Sequence, residues 1–194
     1  MKHPRTQDRR EELLRAAREI FAEKGFEAAT VSEIVARAGV AQGTFYLYFP
    51  SKFSVVKDLT HEMQGRIEQA VRLSSAEAAD LGEMIDRSVE ASFRILGEYR
   101  DVLALPSASQ RWLVGGENNI SFFTPYHILI AETICNAQAA GTVSSAIDAQ
   151  VTAMLIIGMI YYAANQCYVY QSTISAETYI KEAAGFIRRA LGIS

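Results

Sequence analysis

The sequence predicts an all-α protein, with a three-helix domain over residues 1–50 and a larger helical domain over residues 51–194. Three observations predict it. Apolar residues recur at spacings of three and four in one segment after another, which is the period of a helix face. Helix start and stop signals punctuate these segments: Thr30 with Glu33, Gly39, Pro50-Ser51, Gly141 and Ser175. Apolar residues make up 49% of the 194-residue chain, enough for a sizeable core.

Residues 1–6 form a basic arm with Lys2 and Arg5. The first helix is expected from about Gln7 to Lys24, with Leu13, Ala17, Ile20 and Phe21 facing inward. Gly25 ends it, and Phe26 packs back on the same small core. Thr30 and Glu33 have the T-x-x-E spacing of a capping box, which satisfies free amides at a helix start. Val31, Ile34, Val35 and Ala38 give the second helix its apolar face, and Gly39 ends it because glycine accepts the left-handed exit conformation.

A third helix restarts over Ala41–Phe49, and Pro50-Ser51 stops it and caps the next. At about 100° per residue, Phe45 and Phe49 share the inward face with Ala41. Gly43 and Leu47 point the opposite way, Thr44 and Tyr46 lie to either side of them, and Gln42 and Tyr48 flank the core stripe. Glycine inside a helix costs about 1 kcal/mol relative to alanine. A tight contact within the protein would explain Gly43, and so would close approach to a sugar-phosphate backbone.

The fourth helix is expected from Lys52 to about Arg72, with Phe53, Val56, Leu59, Met63, Ile67 and Ala70 along one side. Lys52 sits at its start with no acidic residue in the first turn, an arrangement that an external phosphate would correct. Ser74-Ser75 marks a break. The next helix spans about Ala76–Gly97, with Leu81, Met84, Ile85, Val89 and Leu96 inward. Pro106 terminates a short turn, Arg111-Trp112-Leu113 is a candidate short helix, and Gly115–Asn119 is a loop. A helix from about Ser121 to Ala140, with Pro125 near its start, ends at Gly141. From about Ser144 to Gln171 the chain is helical, and between Ala149 and Ala164 it is apolar nearly all round. Such a helix must be covered on every face, by its own core on one side and a second subunit on the other. Gly158, Ala163 and Ala164 permit close packing there. Ser175 caps a last helix whose stripe is Tyr179, Ile180, Ala183, Phe186, Ile187 and Leu191.

Thr30-Val31-Ser32-Glu33-Ile34, Ala38-Gly39-Val40, Gly43-Thr44-Phe45-Tyr46 and Tyr48-Phe49 with Ser51-Lys52 resemble the helix-turn-helix of the TetR family of transcriptional regulators. The resemblance covers about residues 10–60. It departs at Ala41, where the family often has a Ser or Thr cap, and at Phe53, where an acidic residue is common. It implies a ligand-responsive regulator, a repressor released from a palindromic double-stranded operator by a small effector. It also implies a homodimer joined through the last two helices. With the wheel, it assigns Gln42, Thr44, Tyr46 and Leu47 to the major groove, and Thr30, Gly43, Tyr48 and Lys52 to the DNA backbone. The basic arm would then touch backbone or minor groove, or remain a free tail. The alternative is a DNA-bound structural or cell-division regulator whose second domain holds a protein partner.

Charge agrees with this placement. The formal net charge is −3, yet residues 1–60 carry 10 basic and 8 acidic side chains, against 9 and 14 in the remainder. The longest apolar run, Val151–Ala164, is shorter than the ~18–20 residues of a membrane span, and the first fifteen residues are charged, so a cytoplasmic protein is expected. Cys135 and Cys167 lack metal spacing and read as reduced, buried thiols. An enzyme is not expected. The histidines are His3, His61 and His127, His127 and Glu132 do not share a helix face, and no phosphate loop or nucleophile motif is present. No cofactor is expected. A mainly apolar or aromatic effector would be held by residues such as Phe93, Trp112, Phe123, Tyr126 and Tyr162, with Asn165 and Gln166 as polar anchors.

Overall fold

The computed structural model describes residues 4–105 and 124–193. Among them the regular elements are helices: α1 (Pro4–Ala28), α2 (Val31–Ala38), α3 (Gln42–Tyr48), α4 (Lys52–Glu77), α5 (Leu81–Glu98), α6 (Arg100–Ala104), α7 (Thr124–Ala139), α8 (Ala149–Ala164) and α9 (Ala176–Leu191). They fall into two compact units. The first holds α1–α3, α4 up to Glu62, and α6 from Asp101; the second holds the rest of α4 with α5 and α7–α9. The division lies inside α4 and not at residue 50, because Val55, Val56 and Leu59 are fully buried with the first unit.

In the first unit, Leu13, Ala17, Ile20 and Phe21 of α1 are buried, as are Ile34 and Val35 of α2 and Phe45 and Phe49. Gly25 interrupts α1 at φ 77°, a left-handed value that favours glycine, and Phe26 turns back to lie 5.6 Å from the Phe21 ring. The capping box at Thr30 forms in both directions, and Gly39 closes α2 in the left-handed conformation. Arg37 bonds Glu19 and Glu23 of α1, Arg10 bonds Asp58 of α4, and Arg18 makes a bidentate pair with Asp101 of α6. Two positions depart from the expected stripes. Ala41 is exposed, since it is the extended residue before α3 and not part of its inward face. Phe53 is 46% exposed, because Val55 and Val56 take the inward face of that turn.

In the second unit, Ile85, Val89, Phe93 and Leu96 of α5 pack with the inward faces of α7, α8 and α9. Arg188 of α9 bonds Asp86 of α5 at 3.0 Å. The expected break at Ser74-Ser75 is absent. Ser74 Oγ donates to Ala70 O one turn back, so the serine serves the helix and α4 continues. The helix expected from Ser144 begins later, where Asp148 caps the Val151 amide. Residues 144–147 are instead held as a turn, with Gln138 Nε2 donating to Ser144 O and Ile147 O. At its other end α8 loosens into a π-helical turn over Asn165–Val169. Cys135 is exposed and Cys167 half-buried, so neither thiol is the buried one expected. The candidate short helix at residues 111–113 and the loop at 115–119 lie outside the described residues. No helix among the described residues is long and apolar enough to cross a membrane.

Candidate nucleic-acid interface and ligand cavity

Helix α3 is only seven residues long and has no side-chain cap at Ala41. A helix this short is marginal by itself, so tertiary packing must hold it. Phe45 and Phe49 do so: both are fully buried, 5.6 Å apart, and Arg10 lies over the Phe49 ring. The opposite face is left to solvent. Gln42 and Gly43 are exposed, Tyr46 is 54% exposed and Leu47 81%, while Thr44 and Tyr48 are half-buried at the flanks. This leaves a large leucine exposed on a firmly anchored helix. Among the described residues, a Cβ built on Gly43 would meet nothing within 4 Å, so none of them makes a tight contact that requires this glycine.

The residues expected to face the DNA backbone divide. Thr30 lies exposed at the start of α2, where its hydroxyl accepts from Glu33 N and donates to Glu33 Oε2. Lys24 also pairs with Glu33. Lys24 and the Thr30 cap together hold the Glu33 carboxyl down to about 2. Lys52 takes a different place from the one its sequence position indicates. Its ammonium donates to Phe26 O, Glu27 O and Ala29 O at 2.5, 3.2 and 2.7 Å and lies over the Phe26 ring. It closes the end of α1, and its three protons are engaged within the unit.

In the second unit, α5, α7, α8, α9 and the end of α4 line a partly open cavity of about 60 Å³. Its wall is almost wholly aliphatic, with Ile85, Val89, Ile134, Ile156, Ile160 and Ile187 central to it. Three hydroxyl-bearing residues, Ser88, Tyr126 and Thr133, line it as well, and among the described residues no Lys, Arg, His, Asp or Glu does. Of the effector candidates read from sequence, Tyr126 lines this cavity. Phe93 is fully buried beside it in the core, against the rings of Tyr168 and Tyr179. Tyr162 stands on an outer face of α8, and Asn165 donates to Tyr161 O within the π-helical turn that also holds Gln166. Trp112 and Phe123 lie outside the described residues. Sequence reading weighted aromatics; the cavity wall is made by branched aliphatics, which look like ordinary core in a sequence. The available signal was Ser88 and Ser92, one turn apart on the otherwise apolar face of α5.

The outer face of α8 is the other exposed feature. Ala149, Ala153, Ile157, Ile160 and Ala164 are buried, whereas Val151, Met154, Leu155 and Tyr162 are exposed, Leu155 by 68%. Phe186 of α9 is 58% exposed, so it leaves the inward stripe expected of it. These positions recur at helical spacing on α8 and include Gly158, where a Cβ would also meet nothing.

Comparison with known proteins agrees with this geometry. A family model described as bacterial regulatory proteins, tetR family, matches residues 13–59, and one described as tetracyclin repressor-like, C-terminal domain, matches residues 85–191. The chain is 28% identical over 195 residues to the uncharacterized HTH-type transcriptional regulator YvdT of Bacillus subtilis, covering 96% of this chain and 97% of that one. Among solved structures, it shares its fold with the fatty acid degradation regulator FadR of Bacillus halodurans, with TM-score 0.79, 24% identity and 96% of each chain covered. It likewise matches the transcriptional regulator FadR of Bacillus subtilis, solved in complex with stearoyl-CoA, with TM-score 0.77 and 20% identity over 91% of this chain and 96% of that one.

Proposed function

The chain belongs to the TetR family of bacterial transcriptional regulators, and from that premise we propose that it is a homodimeric, cytoplasmic repressor released from a palindromic operator by a small, mainly apolar effector. The observation that carries the reading is α3, a short helix pinned by two buried phenylalanines with Gln42, Gly43, Tyr46 and Leu47 turned outward. In this reading Gln42, Thr44, Tyr46 and Leu47 read base edges. Thr30, Gly43 and Tyr48 approach the backbone, which positions the helix without specifying sequence. The exposed stripe of Val151, Met154, Leu155, Tyr162 and Phe186 supplies the dimer contact. Dimerisation sets two recognition helices about one DNA turn apart, roughly 34–36 Å.

The cavity supports an apolar effector, and the stearoyl-CoA bound by the B. subtilis FadR points the same way. Because α4 contributes residues to both units, ligand-dependent packing at its end near Val71 has a continuous route to its start. Thermodynamics requires the ligand to prefer the DNA-incompetent arrangement; a coupling of about 1–3 kcal/mol changes operator affinity roughly 5–150-fold. Selection from a random duplex pool should return an inverted repeat. Titration of that operator, with and without each apolar ligand that raises the melting temperature, should show weakened binding. If every stabilising ligand leaves operator affinity unchanged, the effector reading fails and a protein partner for the second unit takes its place.

A further inference from the structure

The side chains that α3 turns outward carry no charge, and that limits which base pairs they can read. From Gln42 to Tyr48 the helix has no Lys, Arg, Asp or Glu. The nearest cation and the nearest carboxylate on either side of it along the chain are engaged within the first unit. Before α3, the Arg37 guanidinium forks onto Glu23 with two bonds of 2.9 Å and also donates to Glu19, and the Glu33 carboxylate accepts from Lys24 and from the Thr30 cap. After α3, Lys52 donates to three carbonyls and Asp58 accepts from Arg10 at 2.6 Å. In the major groove, guanine is most often read by a cation that donates to its O6 and N7, and the cytosine amino group by a carboxylate. Helix α3 offers neither.

What α3 does offer suits A·T pairs. Gln42 is exposed, and a carboxamide can donate to adenine N7 while accepting from its N6 amino group. Leu47 is 81% exposed, more than any other large hydrophobic side chain among the described residues. A leucine on a helix covers the turn before it, and one turn before Leu47 stands Gly43, which presents no side chain. The isobutyl group is therefore bare to whatever the groove presents. Thymine is the base that presents a methyl group there, and apolar surface leaves water favourably only against apolar surface. Thr44 and Tyr46 bear hydroxyls that both donate and accept, so neither separates A·T from G·C by itself.

We propose that α3 reads A·T base pairs, with Leu47 covering the C5 methyl of a thymine and the Gln42 carboxamide pairing with an adenine edge. The proposal rests on the operator-binding reading of α3 and adds the identity of the bases. The test begins with selection of an operator by the full chain from a random duplex pool. The positions that α3 covers in each half-site should come out as A·T. Each thymine is then replaced in turn, symmetrically in both half-sites, by deoxyuridine, which deletes the methyl from the major groove and keeps the base pairing. At one such position binding should weaken about fifteenfold for the two half-sites together, the equivalent of ~0.8 kcal/mol for each buried methyl. Leu47→Ala should lose this sensitivity and bind the thymine and uracil operators alike. Its melting temperature should be unchanged or higher, because so exposed a leucine supports no core. At the adenine read by Gln42, 7-deazaadenine lacks the N7 acceptor; it should weaken the unaltered protein by about fivefold or more and leave Gln42→Ala indifferent.

A selected half-site whose invariant positions are G·C overturns the proposal. So does tolerance of uracil at every position, the result expected if A·T pairs are read only through the minor groove. A uracil penalty that Leu47→Ala retains in full overturns it as well. Those three outcomes leave operator binding standing and remove only the base assignment, whereas a pool from which no sequence is enriched removes the operator reading and the base assignment with it.

Discussion

The outer faces of α3 and α8 are both exposed, both apolar in part, and both interrupted by a glycine that no contact among the described residues requires. They differ in what surrounds that glycine. Around Gly43 stand Gln42, Thr44, Tyr46 and Leu47, a mixture of hydrogen-bonding groups and two large side chains on a seven-residue helix. Around Gly158 stand Met154, Leu155, Val151 and Tyr162, a continuous apolar stripe on a sixteen-residue helix, with Phe186 exposed on α9. The first face suits a polar, charged groove in which a few contacts decide specificity. The second suits another protein surface, where burial of apolar area is the dominant favourable contribution. Exposed hydrophobic residues therefore carry different meanings according to the polarity of their neighbours and the length of the helix that presents them.

A large effect should come from spoiling the second face. Leu155→Glu places a carboxylate in the stripe and should raise the dimer dissociation constant roughly 30- to 1,000-fold, about 2–4 kcal/mol. Sedimentation at micromolar concentration should then show monomers that keep their helical signal, and a dimer that persists would break the distinction between the faces. Phe45→Ala tests what anchors the first face. Removing a fully buried phenylalanine should cost about 3–5 kcal/mol, read as a fall in the stability of the first unit by denaturant titration.

A smaller effect belongs to Lys52. Lys52→Met keeps the stem but deletes the ammonium that serves three carbonyls at the end of α1. Stability should fall by about 1–3 kcal/mol, while the salt dependence of operator binding stays the same. A slope reduced by about one would restore the phosphate role. The smallest and most telling change is Gly43→Ala. No neighbour opposes the added methyl, so helix propensity should raise stability by up to about 1 kcal/mol. Operator affinity should nevertheless fall, because the methyl stands where the DNA backbone comes close. A variant both more stable and equally tight on DNA would show that Gly43 serves neither purpose.

How much of this was legible beforehand follows the range of the interactions involved. The caps at Thr30, Gly39 and Ser175 were readable because each is decided within a few residues. The outward set on α3 was readable for the same reason, since helical periodicity and two phenylalanines suffice to orient seven residues. Local pattern misled where a side chain found a distant or unexpected partner. Lys52 looks unbalanced at a helix start, yet its partners are carbonyls more than twenty residues earlier. Ser74-Ser75 looks like a break, yet Ser74 bonds back into α4.

By itself, then, the sequence determined the helical class, the caps, the motif and the outward face of α3, because turn chemistry and a 3.6-residue period act over a turn or two of chain. Tertiary structure alone decided which face of the uniformly apolar α8 is covered and which is left open. It alone made a cavity from aliphatic residues of five helices. Those outcomes depend on which side chains meet across long separations in sequence, and burial, unlike capping, is a property of the meeting and not of the residue.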